Sequence, residues 1–273
     1  MSILVTGATG KVGKRLAERL REAGFAHRVA SRHPTDEAGV AFDWWDRATW
    51  PAAVKGVSAV YLIAPRGDAA PVMIDFAREA MAAGARRFVL QSGSPVPPGA
   101  PGTGTVHAWL ADNAREWAAL RPSWFNQNFT EALNGQTIRA ENAFYTAAAD
   151  GRTPFIDAED IAASAFATLT SAEPLNSDAI LTGPRAITYD QAAAIISKVL
   201  GRPIEHRRVE PAEVARRHIG NGVPEMSAHM LGFADVAIAN GAEDRVTDEV
   251  ERLTGVKPVS FEAFAARDAA AWG

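Results

Sequence analysis

Short apolar runs alternate with amphipathic stretches through the first half of the chain. The apolar runs are partly β-branched and predict five strands, at residues 3–5, 27–32, 40–45, 57–65 and 87–94. Apolar positions at helical spacing predict helices at residues 14–23, 73–83 and 106–118. Strands with so few polar positions are typical of a parallel sheet that is covered on both faces. The pattern therefore predicts an α/β fold with a Rossmann-type doubly wound parallel sheet.

A glycine-rich segment joins the first predicted strand to the first predicted helix. Its spacing is G-x-x-G-x-x-G, one residue longer than the common dinucleotide fingerprint. Gly7 can adopt the angles of a tight turn, Gly10 leaves room for a pyrophosphate, and Gly13 lets the helix pack closely on the strand. The phosphates would then meet N–H groups at the positive end of the helix dipole. An ordinary strand–helix turn is the alternative to a dinucleotide-binding loop made by Gly7, Thr9, Gly10, Lys11, Val12 and Gly13.

The end of the second predicted strand indicates which dinucleotide binds. Folds that select NAD usually carry Asp or Glu there, about 20 residues past the glycines, to bind the ribose 2′-hydroxyl. This chain has Ser31 and Arg32 instead. A guanidinium pairs with a 2′-phosphate, which a carboxylate would repel. We therefore predict NADP(H) as the cofactor, with a solvated surface role for Arg32 as the alternative.

The fourth predicted strand leads into the cofactor crevice. In open α/β sheets, ligands bind outside the carboxyl ends of the strands. The strand ends at Ile63, Ala64 and Pro65, which we take as cofactor-binding residues. Farther along, the Pro- and Gly-rich residues 95–104 predict a loop without regular structure.

Composition narrows the classes of partner. The 273 residues carry a net charge of -4 and a pI near 5.9, which gives no reason to expect nucleic acid or an anionic membrane. No apolar run is long enough to span a bilayer, so we expect a cytoplasmic protein. The six histidines lack metal-ligand spacing, so no metal is predicted, and His206 and His218 are expected at the surface. The sequence leaves homo-oligomerisation open.

Longer motifs in the middle of the chain resemble a known family. Together with the glycine-rich loop, His107 and the run LRPSWFNQNF at residues 120–129 resemble the NmrA-like group of atypical short-chain dehydrogenases/reductases. Within that group the similarity is greatest to the ergot-alkaloid reductases, with triphenylmethane reductase more distant. Further matches at residues 154–162, 180–192 and 200–203 extend the resemblance over about residues 1–210.

The resemblance implies a division of the chain into two parts. Residues 1–122 would form an NADP-binding Rossmann core, with further core elements at 153–183. Residues 123–152 and 184–273 would form a smaller, mainly helical C-terminal lobe that binds a small-molecule substrate. The resemblance also places Asp43 near the adenine, although an aspartate that caps a turn fits the local sequence nearly as well.

The proton-donating pair of most alcohol-acting members of this superfamily, Tyr-x-x-x-Lys, is missing from the sequence. None of Tyr61, Tyr145 and Tyr189 is followed four residues later by Lys. The resemblance places His107 near the position of the superfamily's tyrosine and Ser92 at the position of its catalytic serine, so both are candidate catalytic residues. A structural role at the surface is the alternative for His107. An NADPH-dependent reductase could do without the pair if its acceptor were an imine, iminium or conjugated compound. The second reading is a non-catalytic NADP(H)-binding redox sensor of the NmrA type.

Two groups of residues remain after these assignments. Trp124, Phe125 and Asn128 are candidate substrate-binding residues, although the aromatic pair would serve equally well as core. Asp157 and Asp160 resemble an acid–base pair, but a carboxylate just before an apolar helical run fits a helix cap better.

Overall fold

A computed structural model describes residues 2–35 and 37–273. The strands are β1 (Ser2–Val5), β2 (Ala26–Ser31), β3 (Gly39–Ala41), β4 (Ala59–Ile63), β5 (Arg87–Gln91), β6 (Glu116–Pro122), β7 (Ala143–Thr146), β8 (Arg152–Thr153), β9 (Ser177–Leu181), β10 (Ile187–Thr188) and β11 (Glu205–Arg208). The helices are α1 (Lys11–Glu22), α2 (Trp50–Val54), α3 (Ala70–Ala82), α4 (Thr103–Asn113), α5 (Leu133–Glu141), α6 (Ala158–Thr170), α7 (Tyr189–Leu200), α8 (Pro211–Gly220), α9 (Glu225–Ala239), α10 (Glu249–Thr254) and α11 (Phe261–Arg267).

These elements form two compact units. Unit 1 comprises Met1–Pro122, Ala158–Leu181 and Glu249–Val256; unit 2 comprises Ser123–Asp157, Thr182–Asp248 and Lys257–Gly273.

Unit 1 is built on a sheet of seven parallel strands. Their order is β3-β2-β1-β4-β5-β6-β9, so the chain moves outward from β1 first in one direction and then in the other. Val5 of β1 pairs with Val29 on one side and with Tyr61 on the other. Ligands of such sheets bind outside the carboxyl ends of the strands, where the order reverses. The predicted Rossmann-type doubly wound sheet is confirmed.

Helices cover this sheet on both faces. Because side chains alternate along a strand, Leu4, Leu62 and Leu90 share one face, where they pack with α3 and α4 in a single core cluster. Ile3 and Tyr61 each precede one of these leucines, so they belong to the opposite face, and both are also fully buried. The helix α6 contacts α1, β4, β5 and β6. Burial of both faces explains why the strands have so few polar positions.

Unit 2 is mainly helical and has an aromatic core. It contains two small sheets, β7 paired in parallel with β11 and β8 paired antiparallel with β10. Phe129 lies at the centre of the core, where its ring contacts those of Phe144, Phe155 and Phe261 edge to face at centroid distances of 5.1–5.2 Å. The indole Nε1–H of Trp272 donates a hydrogen bond to the carbonyl of Phe129. These contacts join the last residues of the chain to its middle.

Two predicted elements differ from the structure. The predicted helix at residues 106–118 ends at Asn113, because Ala114 has extended backbone angles, and residues from Glu116 onward form β6. Trp117 and Ala118 pair with β5, a long-range contact that a local apolar pattern does not reveal. The predicted third strand at residues 40–45 is only β3, because Asp43 turns the chain and accepts the N–H of Trp45 on its Oδ1 at 2.9 Å.

The division between the two units also differs from the prediction. Residues 153–157 and 182–183, predicted as core elements, belong to unit 2, and residues 249–256, predicted in the lobe, belong to unit 1. The antiparallel pairing of β8 with β10 holds Thr153 in unit 2. The helix α10 contacts α6 and β9, although about 70 residues separate it from β9 in sequence. A contact between elements so far apart in sequence produces no periodic pattern, so the sequence did not predict it.

His206 is buried, contrary to the prediction of a surface residue. Its side chain is 1% exposed, and its ring stacks on that of Phe144 at 5.3 Å. Its Nδ1 lies 2.6 Å from Asp190 Oδ1, and its Nε2 lies 2.8 Å from the hydroxyl of Thr146. The two arginines that follow it on the same strand, Arg207 and Arg208, are exposed, so the polar character of the segment predicted the wrong environment for His206.

Candidate functional site

The glycine-rich turn has a geometry that only glycine permits at two positions. Gly7 has a φ of 61°, and a Cβ there would lie 2.9 Å from the Cβ of Ile63. A Cβ on Gly13 would lie 2.3 Å from the carbonyl oxygen of Gly7 and 2.7 Å from the Cα of Ala8. Helix α1 therefore starts in direct contact with the turn that precedes it.

The start of α1 is open to an anion. Its N-cap is Gly10, which has no side chain to accept the first backbone N–H groups of the helix. The first N–H groups of a helix have no partner within the helix and sit at its positive end. A pyrophosphate is the kind of group that binds to such a terminus.

Thr6 fixes the turn against the neighbouring strand. Its buried hydroxyl donates to the carbonyl of Tyr61 at 2.9 Å and accepts the N–H of Ile63 at 2.8 Å. The end of β1 is thereby tied to the end of β4, the two strands between which the sheet order reverses.

A cavity of about 540 Å³ lies beside this turn in unit 1. The predicted cofactor residues among its lining are Gly7, Thr9, Ser31, Arg32, Asp43, Ile63, Ala64 and Pro65. Other predicted residues are not in the lining: Gly10, Lys11, Val12 and Gly13 form the cap and first turn of α1, and Ser92 follows β5. Sequence reasoning missed the residues that complete the wall, which are Ala30, His33, Phe42, Trp44, Trp45 and Arg66.

The charged side chains of the unit 1 cavity are mainly basic. Arg32 and Arg66 are exposed, and neither has a hydrogen-bonding or ion-pair partner in the part of the chain that the structure describes. The carboxylate of Asp43 is held by the Trp45 N–H, and the hydroxyl of Ser31 accepts the N–H of His33 at 3.1 Å. Unpaired guanidinium groups suit phosphate oxygens. The cavity therefore fits a phosphorylated dinucleotide.

An aromatic cluster holds the far wall of this cavity in place. Phe42, Trp44 and Trp50 each contact the ring of Phe76 edge to face, with centroids 5.1–5.4 Å apart. The indole Nε1–H of Trp50 also donates to the carbonyl of Asp43 at 3.0 Å. The packing of these rings on Phe76 makes residues 42–50 rigid and so fixes the position of Asp43.

Unit 2 contains a second cavity, of about 300 Å³. Its aromatic lining consists of Trp124, Phe129, Tyr145, Phe155 and Tyr189, and its polar lining includes Asn128, Glu131, Asn134, His218 and Asp235. Trp124 and Asn128 were predicted as substrate-binding residues, and Phe125 is not among the lining. Aromatic walls with a few polar groups are typical of small-molecule sites.

Burial shifts the ionisation of three residues around the unit 2 cavity. Burial raises the pKa of Asp235 from 3.8 to about 6, against the opposing effect of a hydrogen bond from the Ala147 N–H. Burial, and then the nearby charges of Asp235 and Glu243, raise the pKa of Tyr189 well above its usual value. Burial lowers the pKa of His218. Asp235 and His218 lie on different helices and carry no motif, so the sequence gave no signal for either.

The two candidate catalytic residues lie in unit 1 and line neither cavity. The hydroxyl of Ser92 lies 2.8 Å from that of Thr103 at the start of α4. His107 is buried against Trp117, with ring centroids 5.4 Å apart. Its Nδ1 has no hydrogen-bond partner among the described residues, and burial lowers its pKa. The chemistry predicted for both residues stays a prediction.

Neither a metal cluster nor a membrane helix was found in the described ranges. Across residues 2–35 and 37–273, no three His, Asp or Glu side chains converge to hold a metal ion. In the same ranges no helix combines the length and the apolar character that crossing a membrane requires.

The fold and the unit 1 cavity define the class as dinucleotide-binding proteins. The sequence matches the NAD(P)H-binding family over residues 7–172 and the NmrA-like family over residues 115–265, each more than half of the chain. The chain belongs to the NmrA-like family, as its motifs predict, and is an NAD(P)-dependent oxidoreductase.

Relatives of known name extend over the full length of the chain. The oxidoreductase YesF of Bacillus subtilis is 41% identical over 99% of this chain and 96% of its own. Agroclavine dehydrogenase of Claviceps fusiformis is 38% identical over 100% and 99% of the two chains. Festuclavine synthase II of Penicillium roqueforti is 36% identical over the whole of both.

Solved structures share the fold at lower identity. The NADPH-dependent quinone oxidoreductase of Escherichia coli, in complex with NADPH, has a TM-score of 0.82 at 23% identity, covering 97% of this chain and 99% of its own. Triphenylmethane reductase of Citrobacter sp., in complex with NADP(H), has a TM-score of 0.80 at 21% identity, covering 98% and 100%.

Proposed function

We propose that this protein is an NADPH-dependent reductase of a small organic acceptor whose reacting carbon is already electron-poor. Imines, iminium ions and conjugated compounds are the acceptor classes. One observation carries the proposal: the chain keeps an intact glycine cradle with a basic cavity beside it, but lacks the Tyr-x-x-x-Lys pair. The enzyme would therefore act without a dedicated proton donor.

The residues of unit 1 would hold the cofactor. The cap of α1 would receive the pyrophosphate, and Arg32, with Arg66 nearby in the cavity wall, would bind the 2′-phosphate. Both guanidinium groups lack a competing carboxylate in the described chain, which favours NADPH over NADH. When bound, NADPH supplies a hydride.

The missing pair limits which acceptors can react. Reduction of a ketone leaves an alkoxide, which must be protonated or stabilised as it forms. Ser92 could donate a hydrogen bond to such an oxygen, but a serine hydroxyl does not readily give up its proton. An iminium carbon becomes neutral on reduction, so positioning and electrostatics suffice.

The cavity of unit 2 is the proposed acceptor site. Trp124, Phe129 and Phe155 give it flat apolar walls that would exclude water from a conjugated ring system. Aromatic faces also attract cations. Asn128 adds an amide that can orient a polar substituent.

The names of the relatives agree with this range of acceptors. An agroclavine dehydrogenase and a festuclavine synthase are 38% and 36% identical over the full chain. The solved structures of similar fold include a quinone oxidoreductase and a triphenylmethane reductase. These names support reduction of a conjugated or cationic acceptor in this chain.

The test is a panel of simple ketones, cyclic imines, iminium salts and quinones, with NADPH oxidation as the readout. We expect turnover on imines, iminium salts or quinones and little on ketones. Gly13→Val, in which the cofactor cradle is blocked, serves as the control for non-enzymatic reduction. Rapid reduction of plain ketones without activity on imines would refute the mechanism. Tight NADPH binding without turnover of any acceptor would favour a redox sensor instead.

A further inference from the structure

The unit 2 cavity holds a buried carboxylate with an unused acceptor oxygen. Asp235, on α9, lines the cavity and is 6% exposed. Its Oδ2 accepts the backbone N–H of Ala147 at 2.9 Å. No group in the described chain donates to its Oδ1 or forms an ion pair with it. This oxygen is not among the fully enclosed polar atoms, so it can accept a hydrogen bond from a molecule in the cavity.

The described lining of the cavity offers no basic side chain to offset this negative charge. Among the described residues, neither Lys nor Arg contributes to the lining. The other ionisable groups that line it are Glu131, Tyr145, Tyr189 and His218. His218 is held towards its neutral form by burial, so it brings little positive charge at neutral pH. Buried charges are normally paired, and among the described residues Asp235 has no cationic partner.

The surrounding walls suit an organic cation in particular. Trp124 and Tyr189 line the same cavity as Asp235, and the charge of Asp235 reaches Tyr189 closely enough to raise its pKa. Aromatic faces stabilise a cation that has lost its water, and a carboxylate anchors the charged nitrogen. A cavity of about 300 Å³ has room for a fused bicyclic amine but not for a long peptide.

We propose that Asp235 binds the charged nitrogen of an organic amine or iminium ion in the unit 2 cavity and so selects cationic over neutral acceptors. The inference rests on the proposed function, because it names the acceptor class of that same site. Asp235 would contribute to the affinity and specificity of binding and not to the chemical step, because a carboxylate holds a cation without transferring a proton.

The main experiment compares a cation with a neutral molecule of similar shape. N-methyl-dihydroisoquinolinium carries a permanent positive charge, whereas isochroman is a neutral fused ring of similar size. Binding of each is measured by calorimetry with NADP⁺ present, so that no turnover occurs. We expect Asp235→Asn to weaken cation binding by at least about tenfold, the loss of one charge-assisted contact, and to leave isochroman binding within about twofold.

Matched variants separate charge from folding. Asn keeps the oxygen that accepts the Ala147 N–H, so the local structure should survive the substitution. Asp150→Asn is the control, because Asp150 is a largely exposed aspartate of the same unit that does not line the cavity. It should change neither affinity. Failure of the wild type to bind the cation, unchanged cation binding in Asp235→Asn, or equal loss for both molecules would overturn the inference.

The pH dependence of cation binding gives an independent readout. Protonation of Asp235 as the pH falls through about 6 should weaken cation binding in the wild type but not in Asp235→Asn. His218 also gains positive charge on acidification, which could weaken cation binding by itself. The decrease in cation affinity at low pH must therefore also be seen in the His218→Gln variant. Glu131 also lines the cavity, and Glu243 lies near Tyr189; neither is altered in these variants. Loss of the pH dependence in His218→Gln would contradict the role of Asp235.

Turnover assays distinguish failure of this inference from failure of the proposed function. Iminium reduction with an unchanged KM in Asp235→Asn would overturn the inference and leave the proposed function standing. Cation binding that depends on Asp235, without NADPH oxidation on any acceptor, would support the inference and overturn the proposed function.

Discussion

The unit 1 cavity and the unit 2 cavity have opposite electrostatic character. In unit 1, Arg32 and Arg66 have no charge partner among the described residues and offer positive charge beside a glycine cradle. In unit 2, Asp235 forms no ion pair with any described residue and offers negative charge within aromatic walls. The first is suited to a phosphorylated anion and the second to an organic cation. On the proposals made above, the chain would bind two ligands of opposite charge by different means.

The cavities also differ in how the chain builds them. Much of the unit 1 wall comes from strand ends and the turns that follow, where backbone geometry sets the site and a few side chains tune it. The unit 2 wall is assembled from side chains of several helices and strands that are far apart in sequence. A change in the backbone should therefore damage the first site most, and a change of charge should damage the second.

The largest effect is expected from a side chain at Gly13. In Gly13→Val the new Cβ would lie 2.3 Å from the carbonyl oxygen of Gly7, so the turn must move. NADPH binding, followed by fluorescence titration, should weaken by at least about a hundredfold, which corresponds to about 2.7 kcal/mol. The control is Gly220→Ala, where a Cβ meets no atom within 4 Å. Near-normal NADPH affinity in Gly13→Val would show that the turn does not set the cofactor site.

Removal of a single charge from the unit 1 cavity should have a smaller and more selective effect. Arg32→Ala should weaken NADPH binding by about 1.5–3 kcal/mol, the value of a charge-assisted hydrogen bond, and leave NADH binding almost unchanged. Arg21→Ala, which removes an exposed arginine of α1 outside the cavity, should alter neither affinity. Equal loss for both cofactors would mean that Arg32 does not recognise the 2′-phosphate.

When no ligand is bound, the charge of Asp235 should lower the free energy of unfolding. The pKa of Asp235 is raised from 3.8 to about 6, so the folded state holds the proton more tightly than the unfolded state. The wild type therefore loses stability as the pH rises through this range, and the full penalty applies above about 6. Asp235→Asn should be more stable than the wild type by on the order of 2 kcal/mol at neutral pH, with a smaller difference near pH 4. Urea unfolding at both pH values tests this, with Asp150→Asn as the control. An Asn variant that is less stable at neutral pH would contradict a buried, unpaired charge.

The same contrast explains how far the sequence could predict the protein. The buried strands, the glycine turn and the lack of an acid at residue 32 are local features, so they predicted the sheet and seven residues of the unit 1 wall, and the family resemblance added Asp43. Arg66 was missed because it lies just beyond the predicted fourth strand, and Trp45 because the chain turns at Asp43 within the predicted third strand. In unit 2 only Trp124 and Asn128 were anticipated, through a family motif. Asp235 lies in an apolar helix with no motif around it, and only tertiary packing turns it towards a cavity.

His107 belongs to neither cavity, and its replacement should have the smallest effect on turnover. The ring is buried against Trp117, with its Nδ1 unpaired among the described residues. Leucine is apolar and close enough in size to fill the same space, so His107→Leu should keep kcat within about threefold on any acceptor, whereas loss of a general acid costs about 10²–10⁴. Burial lowers the pKa of His107 below 6.5, so acidification should cost the wild type stability that the leucine variant retains. A hundredfold loss of kcat with NADPH affinity unchanged would instead place His107 in the chemistry, as its position in the family motif predicts.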